Sequence, residues 1–233
     1  MNETDLYTTH AKDFSDSRQA PWPGWKRVME LNEIKKIKND LRILDLGCGN
    51  GRFLKYLIQN PEFKIEKYLG VDYSDILLNI AKKENPETKN LEFKKLDLNN
   101  PLWINEVKDS YNLIYAFGII HHINSFSNRK NILQYAYDLL SNGGVLVMAY
   151  WQFEGKERYK NKLAPRTDSE NPDKYSNHDF TMSFGNRGAT RFVHHCTIEE
   201  ISELEQEIGF KALDSFLSDG KEGDQNLYRI YQK

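Results

Sequence analysis

Between residues 44 and 53 the chain reads Leu44-Asp45-Leu46-Gly47-Cys48-Gly49-Asn50-Gly51-Arg52-Phe53, and this stretch constrains the fold most. An apolar run ends there and a helical pattern begins. Three glycines alternate through the turn, the device by which a backbone reaches positive φ or lets a ligand come into contact with it. Such a turn at the carboxyl end of a first strand marks the ligand crevice of an open α/β sheet. The spacing is G-x-G-x-G. Arg52 stands where a dinucleotide fingerprint, G-x-G-x-x-G, places its third glycine. The turn therefore points away from NAD and FAD, and toward a ligand without a pyrophosphate.

Strand-like and helical patterns alternate through residues 41–150. The runs at 41–47, 68–73, 91–98, 111–118 and 143–150 read as strands. The first, second, fourth and fifth are nearly continuous in apolar residues, as expected when helices cover both faces of a parallel sheet. Ile76, Leu77, Ile80 and Ala81 fall at helical spacing, as do Ile132, Leu133, Ala136, Leu139 and Leu140. Asn142-Gly143-Gly144 predicts a helix stop and a turn before the fifth strand. Upstream, the prolines of Pro21-Trp22-Pro23-Gly24 argue against a helix there, while residues 25–37 read as one. Residues 152–190 are polar and aperiodic, which predicts a lid or a mobile insertion. Thr197-Ile198-Glu199-Glu200 is a helix start, and strands are expected near 211–218 and 226–232.

A chain of 233 residues is long enough for one α/β domain with a full core. The net charge of −2 advertises no polyanionic partner, and two cysteines, Cys48 and Cys196, form no disulfide framework. No signal-peptide pattern opens the sequence. The longest apolar stretch, 143–151, falls short of the ~20 residues a membrane helix needs. A soluble cytoplasmic protein without a membrane partner is expected.

The strand ends carry the chemistry. Asp45 can accept hydrogen bonds or hold a cationic ligand group. Asp72, followed by Tyr73, ends the second strand, where an acid can accept both hydroxyls of a ribose. Asp97, followed by Leu98, is expected to end the third strand, placed to take an exocyclic adenine amine. Phe117 and Gly118 end the fourth. Any one acid at a strand end reads equally as a turn or cap residue. Four strands in succession delivering such residues to one edge read as a ligand site.

Residues 41–150 thereby resemble the class I S-adenosylmethionine-dependent methyltransferases. The resemblance implies a Rossmann-like, doubly wound, mostly parallel seven-stranded sheet with an antiparallel last strand. It implies S-adenosylmethionine as cofactor, bound by Asp45, Gly47, Cys48, Gly49, Asn50, Gly51, Asp72, Tyr73, Asp97, Leu98 and Phe117. The flanks narrow it. Asp13-Phe14-Ser15-Asp16-Ser17-Arg18-Gln19-Ala20-Pro21-Trp22-Pro23 is similar to the entry segment of the tRNA wobble-uridine methyltransferases, with Ser17 where that family often has Thr. Ile119-Ile120-His121-His122-Ile123, Arg191-Phe192-Val193-His194-His195 and the carboxyl-terminal strand are also like that family. In it the carboxylate of a 5-carboxymethyluridine becomes a methyl ester, often with a small zinc-containing partner protein. A single domain over 1–233 is implied, with a cap segment (1–40), a cofactor core (41–150), an insertion (152–192) and a closing helix and strands (193–233).

A carboxylate is ionised at neutral pH and needs no base, only placement. A guanidinium fork suits it, which makes Arg18 and Arg191 candidates to engage the acceptor. Each reads also as a surface or loop charge. His121 or His122 is placed to orient substrate or to serve a less acidic acceptor, or else to pack under the next helix. His194-His195-Cys196 lacks zinc-site spacing, so no metal is expected. Trp22, Trp25 and Trp151 can stack a base, or pin the amino-terminal segment to the sheet. Charge argues against RNA: residues 197–233 carry nine acidic and four basic residues, and 152–191 carry eight basic and six acidic. A small-molecule acceptor and a non-catalytic cofactor-binding scaffold are the rival readings.

Overall fold

The computed structural model describes residue 7 and residues 10–85, 89–166, 173–184 and 189–233. Three short helices lead in: α1 (Ala11–Asp16), α2 (Pro23–Met29) and α3 (Asn32–Ile37). The core then alternates β1 (Leu41–Leu46), α4 (Arg52–Ile58), β2 (Ile65–Asp72), α5 (Asp75–Glu84), β3 (Leu91–Lys95), β4 (Tyr111–Phe117), α6 (Phe126–Leu139) and β5 (Leu140–Trp151). After it come α7 (Glu157–Lys160), β6 (Leu163–Pro165), β7 (Asp179–Phe184), β8 (Ala189–His194), α8 (Ile198–Ile208), β9 (Ala212–Ser218) and β10 (Asn226–Gln232).

Seven strands form one sheet in the order β3-β2-β1-β4-β5-β10-β9. Pairs among β1 to β5 are parallel, and β10 runs antiparallel to both neighbours. This is the α/β fold expected. The order reverses between β1 and β4, where such sheets open a crevice at their carboxyl ends. Apolar clusters cover both faces: Leu44, Leu46, Ile114 and Met148 on one side, Ile43, Leu54, Tyr115 and Val147 on the other. Burial on both faces is why these strands read as unbroken apolar runs. Among the described residues no helix is long and apolar enough to cross a membrane.

Five local expectations need correction. Pro23 does not exclude a helix but begins one, at the first helical position, where a missing N–H costs nothing. The helix expected over 25–37 is two helices, broken where Leu31 turns extended (φ −61°, ψ 139°). In one straight helix Ile34, nine residues after Trp25, would face the opposite way; the break returns it to the core that holds Trp25, Val28 and Met29. The glycines of Asn142-Gly143-Gly144 loop out of β5 itself: Tyr111 pairs with Leu140 and Leu113 with Val145. β3 stops at Lys95, so Asp97 lies in the turn beyond it, exposed, with its Oδ1 accepting from the Asn99 amide at 2.9 Å. Within 152–190, β6 and β7 join β8 in a separate antiparallel sheet, although 167–172 and 185–188 lie outside the described residues.

The carboxyl-terminal hairpin fixes the amino-terminal segment. Asp219, buried and at φ +70°, accepts from the Gly24 amide (2.8 Å), Asn226 Nδ2 (2.8 Å) and the Tyr228 hydroxyl (2.6 Å). A Cβ on Gly24 would stand 2.5 Å from the Tyr228 ring, so the Pro-Trp-Pro-Gly turn closes against β10 only with glycine there. Trp22 and Trp25 then lie beside Phe117 at the end of β4.

Candidate active site

The glycine turn, the ends of β2 and β4, the amino-terminal segment and β8 line one cavity of about 1150 Å³. Its first half is built by the G-x-G-x-G turn. Gly47, Gly49 and Gly51 all sit at positive φ (76°, 54° and 72°). Gly51 must be glycine also for space, since a Cβ would stand 2.8 Å from Asn85 Nδ2 and 3.0 Å from Ala81 of α5. A Cβ on Gly49 would meet nothing, because that residue faces the opening. Asp72 anchors the turn: Oδ2 accepts from the Gly49 amide and Oδ1 from the Ser74 amide, each at 2.9 Å. Each oxygen keeps a lone pair for a further donor.

The other residues expected at a cofactor have distinct local duties. Cys48 is buried, and burial, then the charges of Asp72 and Asp45, push its thiol pKa well up. Asn50 turns its amide to Ser15 Oγ of α1 (3.0 Å), tying the turn to the entry segment. Tyr73 is exposed at the cavity edge, Leu98 is buried beneath it, and Phe117 and Asp97 reach its wall. An open backbone cradle, an acid at the end of β2 and the absence of a third glycine together fit the adenosyl and amino-acid parts of S-adenosylmethionine.

Asp45 lies at the floor, 3% exposed, accepting from the Tyr68 hydroxyl at 2.9 Å. Burial raises its pKa to about 7; the tyrosine opposes this and Asp72 adds to it. Because the ionised form is the one that attracts a cationic ligand, cofactor affinity is expected to rise several-fold from pH 6 to pH 8. Calorimetric titration in that range checks this, and Asp45→Asn should flatten the dependence. A flat profile in the unsubstituted protein would contradict the assignment.

The second half of the cavity is cationic and aromatic. Arg18 follows α1, its guanidinium 4.0 Å from the Phe14 ring centre, and burial, then Arg191, lower its pKa. Arg191, on β8, is 6% exposed and 5.4 Å from the Trp151 ring centre. Arg52 lies 5.3 Å and 5.0 Å from the Trp22 and Trp25 rings and donates to the Ala20 carbonyl at 3.0 Å. Burial, then Arg18, bring its pKa down to about 10. The missing third glycine thus has a positive role: Arg52 clamps the Pro-Trp-Pro segment beside the cofactor turn. The sequence held a signal for it in the adjacent tryptophans, which a cation can stack on.

Neither histidine after β4 is solvated. His121 is 6% exposed, edge-on to Trp151 with ring centres 5.1 Å apart, and burial holds it neutral. Among the described residues its Nδ1 has no hydrogen-bond partner. His122 bonds through Nδ1 to the Phe192 carbonyl (3.1 Å) and through Nε2 to Tyr7 (2.7 Å). Burial, then Arg191, push its pKa down to about 3. With both nitrogens engaged it cannot take a proton from an acceptor.

Farther back, His194 Nδ1 lies 2.6 Å from Asp179 and Nε2 2.7 Å from Glu200, while Arg129 Nε donates to Glu200 at 2.6 Å. His194, Cys196 and Glu200 bring ligand-type atoms within 4.8 Å of one another. The carboxylates are already engaged by the imidazole and the guanidinium, which makes this an ion network behind β8.

Residues 44–146 match the family model described as a methyltransferase domain. Those residues carry a methyltransferase domain. A crystal structure of an S-adenosylmethionine-dependent methyltransferase from Clostridium acetobutylicum covers 99% of both chains with TM-score 0.66 at 16% identity, a likeness of fold. A protein of Encephalitozoon cuniculi assigned as a methyltransferase is 25% identical over 98% of this chain and 93% of its own. The tRNA (carboxymethyluridine(34)-5-O)-methyltransferase of Saccharomyces cerevisiae is 27% identical over 64% of this chain. This methyltransferase spans 47% of that yeast protein's length.

Proposed function

We propose that this methyltransferase esterifies the carboxylate of 5-carboxymethyluridine at the wobble position of tRNA. One observation carries the reading: Arg18 and Arg191 approach the same cavity, flanked by Phe14 and Trp151, beside the glycine turn. Paired guanidiniums select a carboxylate, and the rings offer a face to a flat base. Similarity to the yeast enzyme supports the same acceptor.

When bound, S-adenosylmethionine supplies a methyl group on a sulfonium. The protein's task is then to hold the acceptor oxygen in line and keep water out. Arg191 and Arg18 bind and orient the carboxylate, and Trp151 shields it. His121, neutral, can offer Nδ1 to a polar group of the base. No residue has to remove a proton, since the acceptor is already an anion. The small zinc-containing activator belongs to the same reading and would add basic surface.

The test is methylation of tRNA lacking the ester, with and without that partner, followed by digestion and mass spectrometry of the nucleosides. The methyl ester of carboxymethyluridine should appear. Methylation of small carboxylic acids but of no tRNA would replace this reading with a small-molecule one. Cofactor binding without turnover on any acceptor would replace it with a scaffold.

A further inference from the structure

Tyr7 joins the two halves of the cavity, and the bond directions at its hydroxyl follow from elementary donor and acceptor rules. Arg191 Nη1 lies 2.7 Å from the Tyr7 oxygen, and a guanidinium can only donate. The tyrosine oxygen therefore accepts, and its single proton goes to His122 Nε2 at 2.7 Å. The remaining proton of His122 is then on Nδ1, which donates to the Phe192 carbonyl at 3.1 Å. The chain runs one way: Arg191 to Tyr7 to His122 to the backbone of β8. The ring of Tyr7 stands edge-on to Phe14 (5.2 Å) and to His122 (5.3 Å). Its carbonyl accepts from Ser74 Oγ, the residue whose amide binds Asp72.

We propose that Tyr7 is a positioning residue, which orients the Arg191 guanidinium toward the acceptor and ties it to His122 Nε2, from an anchor at Ser74 on the cofactor side. The acceptor part rests on the carboxylate reading above; the histidine contact does not. Tyr7 touches no reacting atom. Its hydroxyl holds Arg191 in one rotamer, so that the fork is preset before the acceptor arrives and less side-chain freedom is lost on binding.

The test is Tyr7→Phe, which keeps the ring and its packing and removes only the hydroxyl. In wild type, ¹⁵N-resolved NMR of the imidazoles should show His122 as the Nδ1–H tautomer with its Nε2 resonance shifted by the tyrosine's hydrogen bond; in Tyr7→Phe the Phe192 carbonyl keeps the proton on Nδ1 and the Nε2 resonance should move toward that of an unbonded imidazole nitrogen. With carboxymethyluridine-bearing tRNA, the acceptor KM should rise about tenfold, with kcat within threefold and the cofactor Kd within twofold. A residue that merely stabilised the fold would instead move the melting temperature, kcat and cofactor binding together. An unchanged Nε2 resonance, or an unchanged acceptor KM on a tRNA that wild type methylates, overturns the proposal. If wild type methylates no tRNA, the carboxylate reading falls and the Nε2 resonance alone decides for or against Tyr7.

Discussion

Arg191→Ala is expected to lower kcat/KM for the carboxylate acceptor by two to three orders of magnitude while leaving cofactor affinity within about threefold. The guanidinium is almost wholly buried and flanked by Trp151 and Tyr7. A charge-assisted pair in such a setting is worth about 2–5 kcal/mol when one partner is truncated, and 1.4 kcal/mol is a factor of ten. Arg191→Lys keeps the charge but not the planar fork, so it should recover only part of the loss. Arg18→Ala should cost less, because that side chain lies nearer the surface and is held through Ser17 Oγ (2.9 Å) and the Phe14 ring. Steady-state kinetics with varied acceptor separate these outcomes. An Arg191→Ala enzyme within threefold of wild type would remove this residue from acceptor recognition.

The second large effect concerns stability and lies outside the cavity wall. His194→Gln is expected to destabilise the fold by about 3–5 kcal/mol, because it leaves the buried Asp179 carboxylate without its cation and takes one of two cations from Glu200. Asp179 would lose its partner outright, and Glu200 would keep only Arg129. At roughly 2–4 °C per kcal/mol for a chain of this size, the melting temperature should fall by about 6–20 °C. Burial opposes the imidazolium charge, but hydrogen bonds to Asp179, Cys196 and Glu200 prevail and push the pKa up to about 11. A pKa raised on folding stabilises fully below the unfolded value, near 6.5, and the gain fades as pH climbs through the folded value. The gap between wild type and variant should therefore be widest at pH 6 and narrow steadily toward pH 10. Denaturant unfolding at three pH values measures it, and a gap under 1 kcal/mol at pH 6 would show the network to be dispensable.

The parts of this fold that were legible in the sequence are those governed by local periodicity. Strands β1, β2, β4 and β5 are buried on both faces, so their apolar runs announce a parallel sheet. Their carboxyl ends announce a crevice, because Asp45, Asp72 and Phe117 stand where the runs stop. Thr197 was readable as a helix cap, and its Oγ1 accepts from the Glu200 amide at 3.2 Å. The small sheet was not readable. β6 is three residues long, and its partners arrive after an intervening polar stretch, so neither length nor alternation marks them. Asp97 was misplaced at a strand end because Leu96 and Leu98 prolong the alternation past the last ladder bond. Tyr7 offered no signal at all. A lone tyrosine ahead of α1 acquires its meaning only from His122 and Arg191, more than a hundred residues away. Arg52 was legible as a departure from a fingerprint, whereas its work between two tryptophans needed the third dimension.

The place of β10 has a consequence for biosynthesis. Residues 226–232 insert between β5 and β9, in the interior of the sheet, and not at its margin. A ribosome must therefore have passed residue 232 before the sheet can close. Until then β5 offers an unpaired edge, of the kind that invites aggregation. The same strand carries Tyr228, on which Gly24 and Asp219 depend. Arg18, only six residues before Gly24, is made about 210 residues ahead of Tyr228, yet the segment that carries it is secured only when synthesis has passed β10. Shortening the chain by that strand should abolish the acceptor half of the cavity together with the sheet, and a nascent chain should gain cofactor binding and acceptor recognition in a single late step.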